Sequence, residues 1–152
     1  MKLLRWLLIL VLLQSTAWFS QAQAMINYNT PAAVTEALYD TAYQHFGPYT
    51  YNLWRTKPYL SKKLYNRLSY KFNQPPTGPQ KDVFFCSEVP PSAYKVGKVD
   101  ITGDRARVDV KLSWLGRNGI KTDVWVLLKQ YNGVWQVDDI DYGIFGRLSN
   151  YL

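Results

Sequence analysis

Few residues in this chain can catalyse a reaction or hold a metal ion, and those few are scattered. Its 152 residues include one histidine, His45, and one cysteine, Cys86. A single Cys excludes an internal disulfide framework and any multi-cysteine metal site. A single His leaves little material for a zinc centre. A thiol activated by an imidazole is a nucleophile, but nothing in the spacing of His45 and Cys86 brings them together. Within the helix predicted around it, His45 falls on the apolar face, whereas Glu36 and Asp40 lie nearly opposite. No carboxylate on its own face orients the ring for general-base work, so a satisfied core histidine is the plainer expectation. Asp138, Asp139 and Asp141 supply the oxygens that a hard cation prefers. Alternation along a strand, however, sends them to different faces. No metal, cofactor or catalytic residue is therefore expected.

Charge is the next signal. The formal net charge is +7, and the span from Arg55 to Lys81 holds seven basic residues and no acid. Within it Lys62, Lys63, Arg67 and Lys71 form a candidate patch for an anionic partner, such as an envelope surface or an acidic protein. A charged helix back is more often only a solvated face. No nucleic-acid recognition motif accompanies it. With 47% hydrophobic residues and 16% aromatics, the chain is neither disordered nor fibrous.

The first residues explain where such a protein would work. Lys2 and Arg5 precede an unbroken apolar run from Leu7 to Leu13, and Ala22-Gln23-Ala24 follows. That is the order of a secretory signal, with cleavage between Ala24 and Met25. The apolar run is too short to span a bilayer, which takes about 20 residues. Trp18 and Phe19 keep an uncleaved anchor open as the alternative. Residues 25–152 are then one exported domain, periplasmic or secreted, and losing Lys2 and Arg5 lowers the charge of +7 by two. In that oxidising compartment Cys86 is an unpaired thiol. Its neighbours Val83, Phe84 and Phe85 point to a buried strand and an inert, packed Cys.

Two helices come first. Val34, Leu38, Ala42 and His45 recur at helical spacing between Pro31 and Phe46, with Thr30 as N-cap and Gly47-Pro48 as the stop. Leu60, Leu64, Leu68 and Phe72 make a second stripe over Pro58 to Phe72, and Gln74 to Gln80 reads as a loop. After Asp82 the period changes to two. Ala106, Val108, Val110, Leu112 and Trp114 face one way; Arg105, Arg107, Asp109, Lys111 and Ser113 face the other. A hairpin turn at Gly103-Asp104 sets Val99 against Val108, Ile101 against Ala106, Asp100 against Arg107 and Lys98 against Asp109. A second turn at Asn132-Gly133 sets Leu128 against Val137 and Gln130 against Trp135. Between them, a three-residue loop at Arg117–Gly119 sets Leu112 against Val124 and Val110 against Val126. That register places Lys111 beside Trp125 and Asp109 beside Leu127. It also sends Trp125, Leu127 and Tyr131 to the outer face as a candidate interaction surface. A bulge is expected at Asp138-Asp139, and a short closing helix over Ile144 to Leu152.

Two N-terminal helices, a short strand and a long meander resemble the nuclear transport factor 2-like, cystatin-related cone. The resemblance runs through Thr30-Pro31, Tyr59-Leu60-Ser61 leading into Leu64 and Leu68, and Lys81-Asp82-Val83-Phe84-Phe85-Cys86. It continues through Ala106-x-Val108-x-Val110 and Gly133-x-Trp135-x-Val137-Asp138-Asp139-Ile140. In this order the motifs resemble the secreted bacterial family called domain of unknown function 3828. The sequence departs from that family's pattern at Val83 and Ser87-Glu88, and the family brings no established activity. The resemblance implies an α+β fold: two helices packed in a curved antiparallel sheet, with a cavity that His45, Cys86, Trp114 and Trp135 are candidates to line. The functional expectation is an exported, non-enzymatic binding or protein-interaction module, in its sharper form inhibitor- or immunity-like. Its partner would be an exported protein, a small ligand or a second copy. The rival is a small cavity enzyme using His45.

Overall fold

The computed structural model describes residues 29–46, 53–76, 81–115 and 119–152. The expected signal segment, Gly47-Pro48 and part of the expected Arg117–Gly119 loop lie outside the described residues. The fold is α+β: helices pack on one face of a four-stranded antiparallel sheet whose strands neighbour one another in chain order.

The first helix, α1 (Pro31–Gln44), starts where the sequence predicts. Thr30 Oγ1 accepts from the Ala33 amide at 3.2 Å, and Pro31 occupies the first turn, where its missing N–H costs nothing. Val34, Leu38, Tyr39 and Ala42 are buried on one side. The second stripe is not one helix. A short α2 (Leu53–Thr56) runs into a 3-10 turn over Lys57–Tyr59, and α3 spans Lys62–Phe72. Leu60 breaks it by bridging to Val137, and Ser61 N–H donates to the Val137 carbonyl at 2.8 Å. Ser61 also caps α3, its Oγ accepting from Leu64 N–H at 3.2 Å. Leu60 thus covers the free edge of the sheet, while Leu64 and Leu68 bury the helix face behind it.

The sheet comprises β1 (Ala93–Thr102), β2 (Arg105–Trp114), β3 (Ile120–Tyr131) and β4 (Val134–Asp141). The outer hairpins keep their predicted turns. Val99 faces Val108 and Ile101 faces Ala106; Leu128 faces Val137 and Gln130 faces Trp135. Asn132 and Gly133 both have positive φ, 51° and 82°, the geometry of a two-residue turn that follows the strand twist. Two details differ. A bulge between Val96 and Val99 carries Lys98 away from Asp109, and Lys98 pairs with Asp100 along its own strand at 2.8 Å. Ile101, at the end of the edge strand, remains exposed.

The central hairpin corrects the predicted register. Val110 faces Val124, Leu112 faces Thr122 and Trp114 faces Ile120, so the connection has five residues, Leu115 to Gly119. Asp109 therefore lies opposite Trp125, and Arg107 opposite Leu127. The slip from the expected pairing is two residues, which preserves every face assignment. The bulge on β4 falls where predicted, between the pairs Leu127/Asp139 and Leu128/Val137. Beyond β4 there is no α-helix but two 3-10 turns, Gly143–Phe145 and Leu148–Asn150.

One core results. The inner sides of β2, β3 and β4 meet α1 and α3, and Phe84, Phe85, Tyr142 and Leu148 complete it. Leu68 is fully buried in this core, whereas Tyr70 on the same helix is 70% exposed. Leu68→Ala is expected to lower unfolding free energy by about 2–5 kcal/mol. Tyr70→Ala should stay within about 0.5 kcal/mol of the parent. Urea denaturation of the two variants checks this, and equal losses would place the helix face wrongly.

Candidate functional site

The segment between α3 and the sheet organises the site. A strand is expected at Val83–Phe85, but the chain forms a tight turn closed by Asp82 and Ser87, whose N–H and C=O bond at 2.8 Å. The Asp82 carboxyl turns back into it: Oδ1 accepts from Phe84 N–H at 2.8 Å and Phe85 N–H at 3.1 Å. Asp favours such turns because its short carboxyl can take amides two and three residues on. With its amides held, the turn drives both Phe84 and Phe85 into the core. Tyr39 of α1 donates its hydroxyl to the Phe84 carbonyl at 3.0 Å, and Tyr142 donates to the Val83 carbonyl. The Tyr39 and Phe85 rings meet edge to face with centroids 5.4 Å apart.

One wall of a cavity of about 140 Å³ is made by this turn, through Phe85, Cys86 and Ser87. The inner face of the sheet supplies Trp114, Ile120, Thr122 and Val124, and Tyr142 and Phe145 close it from the C-terminal segment. No helical residue lines it. The space is suited to a single apolar group: an apolar cavity of roughly 150 Å³ holds a benzene-sized guest. Trp114 Nε1–H donates to the Val89 carbonyl at 3.2 Å, which steadies this end of β2. Several large apolar side chains in or next to this lining are exposed. Leu115 is 83% exposed and Ile144 95%, with Ile120 and Phe145 about half exposed.

The predicted site residues separate. Cys86 and Trp114 line the cavity; His45 and Trp135 do not. His45 follows the last residue of α1, half-buried, with Nδ1 3.0 Å from the Thr41 carbonyl. Trp135 is packed in the core beside the Asn132-Gly133 turn. Cys86 is only half-buried, and burial pushes its thiol up, with Lys81 opposing the shift in part. A thiol raised in this way stays protonated at neutral pH and is a poor nucleophile.

The remaining candidates are also redistributed. Trp125 and Leu127 point outward but are half-buried, and Tyr131 is exposed. The Arg107 guanidinium stacks 4.5 Å from the Trp125 ring centroid. Gly143 lies so close that a Cβ there would sit 3.3 Å from Trp125 Cζ3; it adopts φ 65°, which favours glycine. The chain itself thus covers much of Trp125, by backbone and not by Ile144. In the basic patch Lys62, Lys63 and Lys71 are exposed, while Arg67 is tied to the Ser149 carbonyl at 2.8 Å. The aspartates are divided among separate tasks. Asp138 accepts from the Tyr131 hydroxyl, Asp139 from Ser149 N–H and Oγ–H, and Asp141 from Gly143 N–H. Among the described residues no three His, Cys, Asp or Glu side chains are grouped to hold a metal ion.

Asp82 is the residue that sequence reasoning missed. It is 3% exposed, and its Oδ2 has no hydrogen-bond partner among the described residues. Burial pushes its carboxyl up to about 8, although the two amides at Oδ1 pull the other way. The turn signature, Asp followed two and three residues later by amides that must be satisfied, was the signal available.

No protein-family model matches the chain, and no curated protein matches it. Two solved structures do. Both are of the type VI effector-immunity complex Tae3-Tai3 from Ralstonia pickettii, one native and one with selenomethionine. The matched chains are 24% identical, with TM-scores of 0.61 and 0.57. The likeness covers 75% and 74% of this chain and 95% and 96% of theirs. What is shared is the fold.

The Asp82 carboxyl carries a pH dependence. Its folded value lies above its unfolded one, so between about pH 4 and about pH 8 the folded chain binds more protons than the unfolded. Stability must then fall as pH rises through that window. Native protein is expected to lose on the order of a few kcal/mol across it relative to Asp82→Asn. Urea midpoints of both proteins at each pH measure the difference. Parallel curves would mean that Asp82 ionises in the folded state as it does in the unfolded chain.

Proposed function

We propose that the chain is an exported protein-interaction module of inhibitor or immunity type, which docks a partner protein at the mouth of the cavity. The observation that carries this reading is a side-chain-sized space lined by the half-exposed Ile120 and Phe145, with the exposed Leu115 and Ile144 next in sequence to its lining residues Trp114 and Phe145. Large apolar side chains gathered at one end of a sheet are costly to hydrate, and an exposed patch of this kind marks an interaction surface. A partner that seats one apolar group in the cavity and covers these side chains gains a central anchor with a shielding ring, the usual anatomy of a tight interface. The fold shared with a chain of an effector-immunity complex supports a protein partner. The helix-then-meander order fits the nuclear transport factor 2-like reading, and a secretory signal over residues 1–24 would put the meeting outside the cytoplasm. The outer-face cluster of Trp125, Leu127 and Tyr131 is the weaker contact surface, since Arg107 and Gly143 already cover part of it.

Growth protection and binding test this together. Exported in a susceptible cell, the chain should protect against one type VI effector and co-elute with it. Leu115→Ser combined with Phe145→Ser should keep its circular dichroism and lose at least about tenfold in affinity, given the apolar area removed. Failure to bind any such effector, or unchanged affinity in the double variant, overturns the reading.

A further inference from the structure

Asp82 presents a buried carboxyl with one oxygen doubly bonded to amides and the other facing no partner. We infer that Asp82 is a protonation latch: the turn over Val83–Cys86 is closed while the carboxyl is neutral, and loosens when it ionises, altering the cavity wall made by Phe85, Cys86 and Ser87.

Among the described residues a carboxylate finds no other relief. A buried anion needs a cation, further donors or water. From α1, Tyr39 already gives its hydroxyl to the Phe84 carbonyl. From the end of β4, Tyr142 gives its hydroxyl to the Val83 carbonyl. Turning either phenol toward Oδ2 would break the hydrogen bond that it gives to the turn backbone. Burial also holds both phenols far above their ordinary range, so neither lends charge. On β4, Asp139 is occupied by Ile140 N–H and by Ser149 N–H and Oγ–H, and it is itself an acid. On the turn, Cys86 is raised by burial, and the neighbouring Lys81 is an exposed side chain acting on that thiol. Water is what remains, and it reaches Oδ2 only if the turn moves. Cys86 favours that movement. It is held at φ 51°, in the left-handed region that a side chain disfavours, and opening releases it. Because Cys86 lines the cavity and Asp82 does not, a proton at a closed site is read out at an open one.

Nuclear magnetic resonance and thiol alkylation of the full chain test the latch. The Asp82 Cγ shift and the Phe84 and Phe85 amide shifts should share one inflection near pH 8, roughly four units above an ordinary carboxyl. Alkylation of Cys86 by iodoacetamide, divided by the thiolate fraction read from ultraviolet absorbance, should rise about fivefold or more across that inflection as the site opens. In Asp82→Asn the amide inflection and the normalised rise should both vanish. A carboxyl titrating below about pH 5.5, a flat normalised rate, or an inflection persisting in Asp82→Asn overturns the latch. If Asp82→Asn fails to fold, the carboxyl shift and normalised rate of the native chain decide alone. None of these readouts depends on the partner, so they stand or fall apart from the docking proposal.

Discussion

Two amide hydrogen bonds to one oxygen of Asp82 hold together parts of the molecule that are far apart in sequence. They fold the chain sharply enough to place consecutive phenylalanines, Phe84 and Phe85, on the same buried side. In an extended strand the two rings would point to opposite faces, and one would be lost to the core. Gathered by the turn, they meet Tyr39 of α1, while Tyr142 reaches the turn from beyond β4. Helix, turn and sheet end are thus joined through one carboxyl and two phenols. The cost is a carboxyl oxygen without a partner, tolerable only because the group stays neutral when buried.

Sequence patterns revealed the parts of this fold that depend on parity and on turns. Alternation from Ala106 to Leu112 identifies the inner face of β2, and Gly103-Asp104 and Asn132-Gly133 fix their hairpins because a two-residue loop allows one register. The middle hairpin escaped. Slipping Val110 from Val126 to Val124 moves the pairing by two residues, and no inward residue turns outward. Apolar patterning is blind to an even slip; only the loop length distinguishes the registers. Leu60 escaped for another reason. Its spacing to Leu64 and Leu68 is helical, yet its backbone is recruited by Val137, a partner that no local periodicity can show. Of the candidate site, Cys86 and Trp114 were legible as cavity walls. Asp82 was not, because an apolar run after an acid reads as a strand unless its amides are accounted for.

The even slip also decides where the molecule is exposed. With the expected three-residue loop the central strands would run on to Gly116 and Ile120 before a tight turn. Five connecting residues instead leave Leu115 outside the ladder, and Ile120 opposite Trp114 at a strand end that no helix covers. Helices α1 and α3 pack mainly toward β1, β2 and β4, so among the described residues this corner is closed by the Asp82 turn and the Gly143–Phe145 segment. The same segment presses Gly143 onto Trp125 on the other face. Covering the outer tryptophan with a glycine turn pushes Ile144 and Phe145 outward. The apolar surface that the outer face no longer shows therefore reappears at the cavity mouth.

A surface built this way combines a fixed floor with an adjustable wall. The floor is β-ladder: Trp114, Thr122 and Val124 are held by paired backbone, and Trp114 is further tied through its indole to Val89. The wall is a four-residue turn whose geometry rests on side-chain hydrogen bonds, each weaker and more conditional than a ladder of backbone pairs. Partner recognition that needs shape requires the floor, and recognition that responds to surroundings requires the wall. A buried carboxyl pushed up to about 8 is placed where a change of surroundings can be felt. Cys86 adds no chemistry to this arrangement while its thiol stays protonated. Its contribution is conformational, a strained residue that makes the closed wall easier to open than its two buried phenylalanines would otherwise allow.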